Sequence, residues 1–199
     1  MNLTTITEPS DFAVKHIIDS ISIWNDDKFQ NVDTVIDVGT GAGFPGIPLT
    51  IYRPHIKITL LDSMAKRINF LKAAVEEIGL EDITFIHSRA EDAAHNPILR
   101  ENFDLAVSRA VAKLNILAEY CVPFVRLGGY FAAFKGANFK EELQDAKNAV
   151  KILGGVDIEC FKIKLPNDNE RNLIYIKKAS KTDDKYPRKA GTPERKPLN

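Results

Sequence analysis

The twelve residues Val35-Ile36-Asp37-Val38-Gly39-Thr40-Gly41-Ala42-Gly43-Phe44-Pro45-Gly46 constrain this chain more than any other stretch. The run from Thr34 to Val38 is short, apolar and stopped by glycines, so it reads as a buried strand. A helix is predicted to begin near Gly46. Glycines between a strand and a helix permit a tight turn and let the backbone approach a ligand closely. In open parallel sheets, ligands bind beyond the carboxyl ends of the strands. A chain carrying this unit calls for an α/β fold with a ligand at the top of its first strand.

The remaining pattern agrees. Residues 8 to 24 read as a helix, opened by Pro9, Ser10 and Asp11 and carrying Phe12, Val14, Ile17, Ile18 and Ile21 at helical spacing. Further strands are predicted from Lys57 to Leu61, Ile83 to Ile86, Asp104 to Val107 and Gly129 to Phe134. Helices fall between them, from Ala65 to Ile78, with Gly79 just past its end, and from Leu114 to Val122. A helix from Phe139 to Leu153 is closed by Gly154-Gly155. Two last strands, Val156 to Leu165 and Leu173 to Lys177, are joined by the polar turn Pro166 to Glu170. Strands alternating with helices give βαβ units and a mostly parallel seven-stranded sheet with helices on both faces. The closing pair without a helix places an antiparallel strand at or near the edge. The expected organisation is an N-terminal helical segment over 1–30, a main domain over 31–178 and a basic tail over 179–199, without regular structure of its own.

Charge is uneven. Lys plus Arg and Asp plus Glu both total 27, a net charge of zero that argues against coating nucleic acid by bulk charge. From Lys177 to Asn199, however, eight basic residues face three acids, so an acidic body precedes a basic tail. The start, Met1 to Ile6, lacks a basic then apolar pattern, and no stretch approaches the ~20 apolar residues needed to span a bilayer. Cys121 and Cys160 match no metal or redox spacing and are expected as buried thiols in a reducing cytoplasm. The four histidines show no ligand spacing, so no metal is expected.

The loop itself discriminates between ligands. A dinucleotide loop reads G-x-G-x-x-G, and here Phe44 takes the last place. The observed pattern is acidic-x-G-x-G-x-G, with Asp37 ahead of Gly39, Gly41 and Gly43. S-adenosylmethionine has no pyrophosphate to seat on a helix; it carries a charged amino-acid end and a sulfonium, which an acid at a strand end suits. Asp62 ends the next strand, 23 residues after Gly39, where a carboxylate can accept both ribose hydroxyls of either cofactor.

Beyond the loop, Ile47-Pro48-Leu49, Leu60-Leu61-Asp62-Ser63-Met64-Ala65-Lys66-Arg67, Ser108-Arg109-Ala110, Phe134-Lys135-Gly136 and the tail Tyr186-Pro187-Arg188-Lys189-Ala190-Gly191-Thr192-Pro193 complete a longer pattern. Over nearly its whole length the chain resembles the bacterial 16S ribosomal RNA guanine-N7 methyltransferases, also called the glucose-inhibited division protein B family. The tail is the most specific part, because generic methyltransferases lack it. In one respect the chain departs from the pattern: members usually carry a further helical segment ahead of Asn2-Leu3-Thr4, where this chain has Met1.

The resemblance implies a class I, Rossmann-like methyltransferase using S-adenosylmethionine. Its target is N7 of a guanine in 16S rRNA, guanine 527 in standard numbering, on the small ribosomal subunit or an assembly intermediate. It places cofactor contacts on Gly39, Phe44, Ala90, Glu91 and Arg109; the loop and second strand add Gly41, Asp62 and Ser63. Arg109 and Lys135, at the ends of the fourth and fifth strands, are the candidate catalytic residues, and Arg188 and Lys189 the candidate RNA contacts. A tail that serves RNA predicts that deletion from Tyr186 onward weakens RNA binding and spares the cofactor.

Guanine N7 has an in-plane lone pair and no proton, so no general base is needed, and positioning and electrostatics carry the reaction. Ser108-Arg109-Ala110 is not the Asn/Asp-Pro-Pro-aromatic motif that grips an exocyclic amine, and neither cysteine has a Pro-Cys context. Two alternatives differ in what they predict. A small-molecule methyltransferase is indifferent to RNA and salt; a non-enzymatic nucleotide-binding module transfers no methyl.

Overall fold

The computed structural model describes residues 8–109, 112–136, 139–166 and 170–199. Met1 to Ile6, Ala110 of the arginine motif and Asn167 to Asn169 of the polar turn lie outside them. Seven strands form one sheet: β1 (Thr34–Val38), β2 (Lys57–Asp62), β3 (Ile83–His87), β4 (Phe103–Arg109), β5 (Val125–Lys135), β6 (Gly155–Lys164) and β7 (Glu170–Lys178). Their order is β3-β2-β1-β4-β5-β7-β6. The first five pair in parallel, whereas β7 runs antiparallel to both β5 and β6. The antiparallel strand therefore lies one place in from the edge.

Chain direction across the sheet reverses beside β1, with β2 on one side and β4 on the other. Loops leaving β1 and β4 diverge there and open a crevice at the carboxyl ends of the strands. β1 is buried on both faces because helices cover both. Val35, Ile58, Leu60 and Leu105 pack with Leu49, Leu71 and Phe29 on one face, while Ile36, Val38, Leu61 and Ala106 pack with Leu117, Phe124 and Val150 on the other. The first layer includes α3 (Gly46–Tyr52) and α4 (Ala65–Ile78); the second includes α5 (Ala90–Ala93), α6 (Leu114–Cys121) and α7 (Lys140–Ile152). α4 has the predicted boundaries and ends on Gly79 at φ 75°. Ile68, Leu71 and Val75 are buried along it, whereas Ile78 at its end is exposed.

Three local expectations need correction. The N-terminal helix is not uniform: Pro9–Phe12 (α1) and Asp19–Ile21 (α2) are α-helical, Ala13–Ile18 is π-helical and Ser22–Asn25 is 3₁₀. Ser20 Oγ donates to the His16 carbonyl and Ser22 Oγ to the Asp19 carbonyl, and such side chains compete with the backbone for these acceptors. Cys160 is exposed on the edge strand; only Cys121 is buried. The tail is not free of regular structure, because Thr192–Arg195 forms a last short helix, α8.

Candidate functional site

The glycine loop is built around Asp37. This carboxylate is wholly buried, and its Oδ2 accepts from Thr40 Oγ1 at 2.7 Å and from Gly46 N at 2.9 Å. Burial pushes its pKa up to about 6. Its Oδ1 has no hydrogen-bond partner among the described residues. A Cβ on Gly46 would sit 2.9 Å from Asp37 Oδ2 and 2.4 Å from Leu60 Cδ2, so only glycine fits there. Gly39, Gly41 and Gly43 all have positive φ. The amides of Gly39 and Thr40 donate to the Leu61 carbonyl, and Ser108 Oγ donates to the Val38 carbonyl. The loop is thereby stitched to β2 and β4.

A cleft of about 120 Å³ opens beside this loop across the ends of β1, β2 and β3. Gly39, Asp62, Ser63, Ala90 and Glu91 line it, five of the positions expected to meet the cofactor. Asp62 Oδ2 accepts from Gly41 N at 3.0 Å and from Arg67 Nη1 at 3.2 Å, and Oδ1 accepts from Met64 N at 2.9 Å. The protein thus fixes this carboxylate before any ribose arrives, with two donors on Oδ2 and one short backbone donor on Oδ1. Glu91 is buried, and its Oε1 accepts from Gly191 N at 2.8 Å. Tyr120 and Glu194 complete the lining; the spacing in the sequence pointed to neither.

A second cavity, of about 420 Å³, lies on the other side of the loop, at the ends of β4 and β5 and the start of β7. Its walls include Lys15, His16, Asp19, Arg109, Lys135 and Arg171. Arg109 leaves β4 to sit over the Phe44 ring, 5.1 Å from its centroid, while His16 stacks on that ring at 4.8 Å. The guanidinium donates to the Lys15 carbonyl at 3.3 Å, approaches Asp19 Oδ2 at 3.5 Å and reaches His16 Nδ1 at 3.1 Å. Burial, with Arg109 adjacent, lowers the His16 pKa and favours the neutral ring that can accept this bond. Phe44 and Arg109 are therefore together, and of the two Arg109 lines the cavity. Lys135 lines the cavity, but its Nζ bonds the Ala112 carbonyl and pairs with Glu142 at 2.8 Å.

The tail folds back over α5 and α6. Arg188 grips the fully buried Glu119 with Nε at 2.8 Å and Nη2 at 2.6 Å, and its backbone amide adds a third bond at 2.8 Å. Arg100 binds the carbonyls of Tyr186 and Thr182, and His95 meets the Pro187 carbonyl. Lys189 is exposed. Of the two basic residues expected to meet RNA, one is committed to an internal carboxylate. Glu119 gave a signal in the sequence, being the one charged residue in the helix Leu114–Cys121. Asp19 and Arg171 gave none, because they are each other's partners from opposite ends of the chain.

The family model for rRNA small subunit methyltransferase G (GidB) matches residues 1–174. The chain belongs to the rRNA small subunit methyltransferase G family. A curated member from Alkaliphilus metalliredigens is 52% identical over 199 residues, covering all of this chain and 83% of the relative. The member from Lactobacillus acidophilus is 46% identical over 202 residues, covering all of this chain and 84% of the relative. Solved structures share the fold at low identity. A precorrin-6y C5,15-methyltransferase from Geobacter metallireducens superposes with a TM-score of 0.57 at 14% identity, over 89% of this chain and 92% of that one. An S-adenosylmethionine-dependent O-methyltransferase from Thermotoga maritima gives 0.59 at 16%, over 92% and 70%. The cofactor of a methyltransferase of this family and fold is S-adenosylmethionine, and the cleft fits it. Asp37 Oδ1 is an unanswered buried acceptor beneath the glycine loop, and Gly39, Asp62 and the Ser88 to Glu91 turn line the cleft. No helix among the described residues is long and apolar enough to cross a membrane.

Proposed function

We propose that this protein methylates N7 of a guanine in 16S rRNA, guanine 527 in standard numbering, within the small ribosomal subunit or an assembly intermediate. The observation that carries the reading is the pairing of two sites on one rim. An acid-and-glycine cleft opens at the ends of β1, β2 and β3, and a cavity rich in arginine and lysine opens at the ends of the neighbouring β4 and β5.

S-adenosylmethionine supplies an electrophilic methyl group on a sulfonium. Gly39, Gly41, Asp62, Ser63, Ala90 and Glu91 would hold the nucleoside, with Phe44 and Arg109 as further contacts of the cofactor. N7 carries no proton, so no side chain must remove one, and the reaction is governed by how base and methyl are held. Arg109 and Lys135 set the potential of the cavity and anchor the base or its phosphate. Lys189 and neighbouring exposed tail lysines are the cations placed to meet the RNA backbone, while Arg188 holds the tail.

Incubation with radiolabelled S-adenosylmethionine and small subunits from cells lacking the activity tests this. Label is expected in 16S rRNA, on a guanine, in a form released by mild alkali and reduction as N7-methylguanine is. Label in a metabolite with none in RNA would establish a small-molecule enzyme instead.

A further inference from the structure

Asp19 is a buried carboxylate in a wall otherwise dominated by cations. Its side chain is 3% exposed, and it lines the 420 Å³ cavity. Lys15, Arg109, Lys135 and Arg171 are the charged groups around it in that wall. Its contacts with them are loose. Oδ2 lies 3.5 Å from Arg109 Nη1 and Oδ1 lies 3.5 Å from Arg171 Nε. Oδ1 accepts no hydrogen bond among the described residues. A carboxylate that served only to neutralise two arginines would gain most from short, bidentate geometry, as Arg188 and Glu119 achieve at 2.6 and 2.8 Å. Asp19 instead keeps an acceptor in reserve. Buried acceptors left unpaired are costly, which makes such a site a candidate for a ligand donor.

The chemistry of guanine matches this reserve. Its Watson–Crick edge presents two adjacent donors, N1–H and the 2-amino group, and a carboxylate accepts both. Adenine presents a lone pair at N1 and no 2-amino group, so a carboxylate repels it. The O6 and N7 edge stays clear, with arginines beside it to meet O6. On the reading that this cavity receives the guanine to be methylated, we infer that Asp19 is the residue that recognises guanine, through N1–H and the 2-amino group. Its contribution grows during the reaction. Methylation leaves the purine cationic, so hydrogen bonds from N1–H and the 2-amino group to a carboxylate strengthen as the methyl group arrives. The π-helical stretch Ala13–Ile18 just before Asp19 is in keeping with this role, since such bulges are frequent at functional sites.

The test replaces atoms on both sides of the contact. Small-subunit particles are reconstituted around 16S rRNA carrying guanine or inosine, which lacks the 2-amino group, at the target position. The native protein is expected to lose about tenfold or more in kcat/KM with inosine, equivalent to one lost hydrogen bond. Asp19→Asn is expected to lose on the order of 100-fold with guanine, mainly in kcat, and to respond little to inosine. S-adenosylhomocysteine affinity, read by calorimetry, is expected to stay within about twofold of native, which also reports on folding.

An inosine penalty as large in Asp19→Asn as in the native protein would overturn the inference. So would a native protein indifferent to inosine, a result that needs no variant. A fall in S-adenosylhomocysteine affinity parallel to the loss of rate would assign Asp19 to positioning Arg109. Failure of the native protein to methylate guanine-bearing particles at all would remove the functional reading itself, and the inference with it.

Discussion

Asp37 is cut off from solvent at the top of β1, and keeping it ionised there is costly. An ordinary aspartate titrates near 3.8, whereas burial raises this one to about 6. Between those values the folded state holds a proton that the unfolded state has lost. Its contribution to stability therefore falls as pH rises through the window, and above about 6 a cost on the order of 3 kcal/mol is fully present. A cation brought against Oδ1, such as the ammonium of the cofactor's amino-acid end, offsets that cost. Affinity for S-adenosylhomocysteine is accordingly expected to weaken as pH falls below about 6, with a proton released on binding near that pH. Asp37→Asn should raise the melting temperature of the free protein and weaken binding by tenfold or more, with the pH dependence gone. Calorimetry between about pH 5 and 7 checks this, and a variant that keeps the native pH profile would exclude Asp37 as its source. The glycine beside it is equally constrained. Gly46→Ala drives a methyl into Leu60 and the same carboxylate and should cost about 1–3 kcal/mol in urea unfolding, with loss of the cofactor. Gly136→Ala, at a position with open space, is the control expected to change neither.

At the level of elements, what could be read from the sequence depended on whether the physics was local. β1, β2 and α4 were legible because burial periodicity and a closing glycine lie within each element. Part of the lining of the cleft was legible for the same reason, since Gly39 and Asp62 each sit at the end of a strand, whereas Ala90 and Glu91 were implied only by the family resemblance. The tail was harder to read. Eight basic residues suggest an arm for RNA, yet the partners that hold it, Glu119 and Glu91, lie 69 and 100 residues from Arg188 and Gly191. No local pattern announces such pairs. The fold revises the consequence of removing the tail: deletion from Tyr186 takes away Glu194 and the Gly191 contact beside the cleft, so cofactor affinity should fall as well. The sharper variant is Glu119→Ala, which strands Arg188 against a buried pocket. It is expected to cost about 3 kcal/mol or more, because a half-broken buried ion pair leaves its partner's charge uncompensated. It should also loosen S-adenosylhomocysteine binding, through the displaced Gly191 and Glu194. Chemical denaturation and calorimetry on one preparation test both, and an unchanged cofactor affinity in a destabilised protein would detach the tail from the cleft.

Across the whole molecule, the two sites are not independent compartments. The reversal of strand order beside β1 opens both on one rim, and the stack of His16, Phe44 and Arg109 ties the glycine loop to the cavity. Phe44 belongs to the cofactor loop. His16 belongs to the N-terminal segment lining the cavity, and Arg109 is tied to that segment through the Lys15 carbonyl and Asp19. A ligand that orders the glycine loop must therefore order part of the other cavity. The ordering then need be done only once when both ligands bind. S-adenosylhomocysteine is expected to tighten RNA binding, and by linkage RNA must tighten S-adenosylhomocysteine binding by the same factor, in the range of about 5- to 150-fold. The two legs carry different electrostatics, which helps to separate them. RNA affinity should fall steeply with salt because lysines and arginines displace counterions, while the cofactor leg should barely respond. Phe44→Ala removes the shared ring and should bring the coupling factor close to one while leaving a measurable affinity on each leg. Filter binding of RNA with and without S-adenosylhomocysteine, and calorimetry of S-adenosylhomocysteine with and without RNA, close the cycle. Equal affinities on opposite edges of that cycle in the native protein would mean that the stack does not link the two sites and that they fill separately.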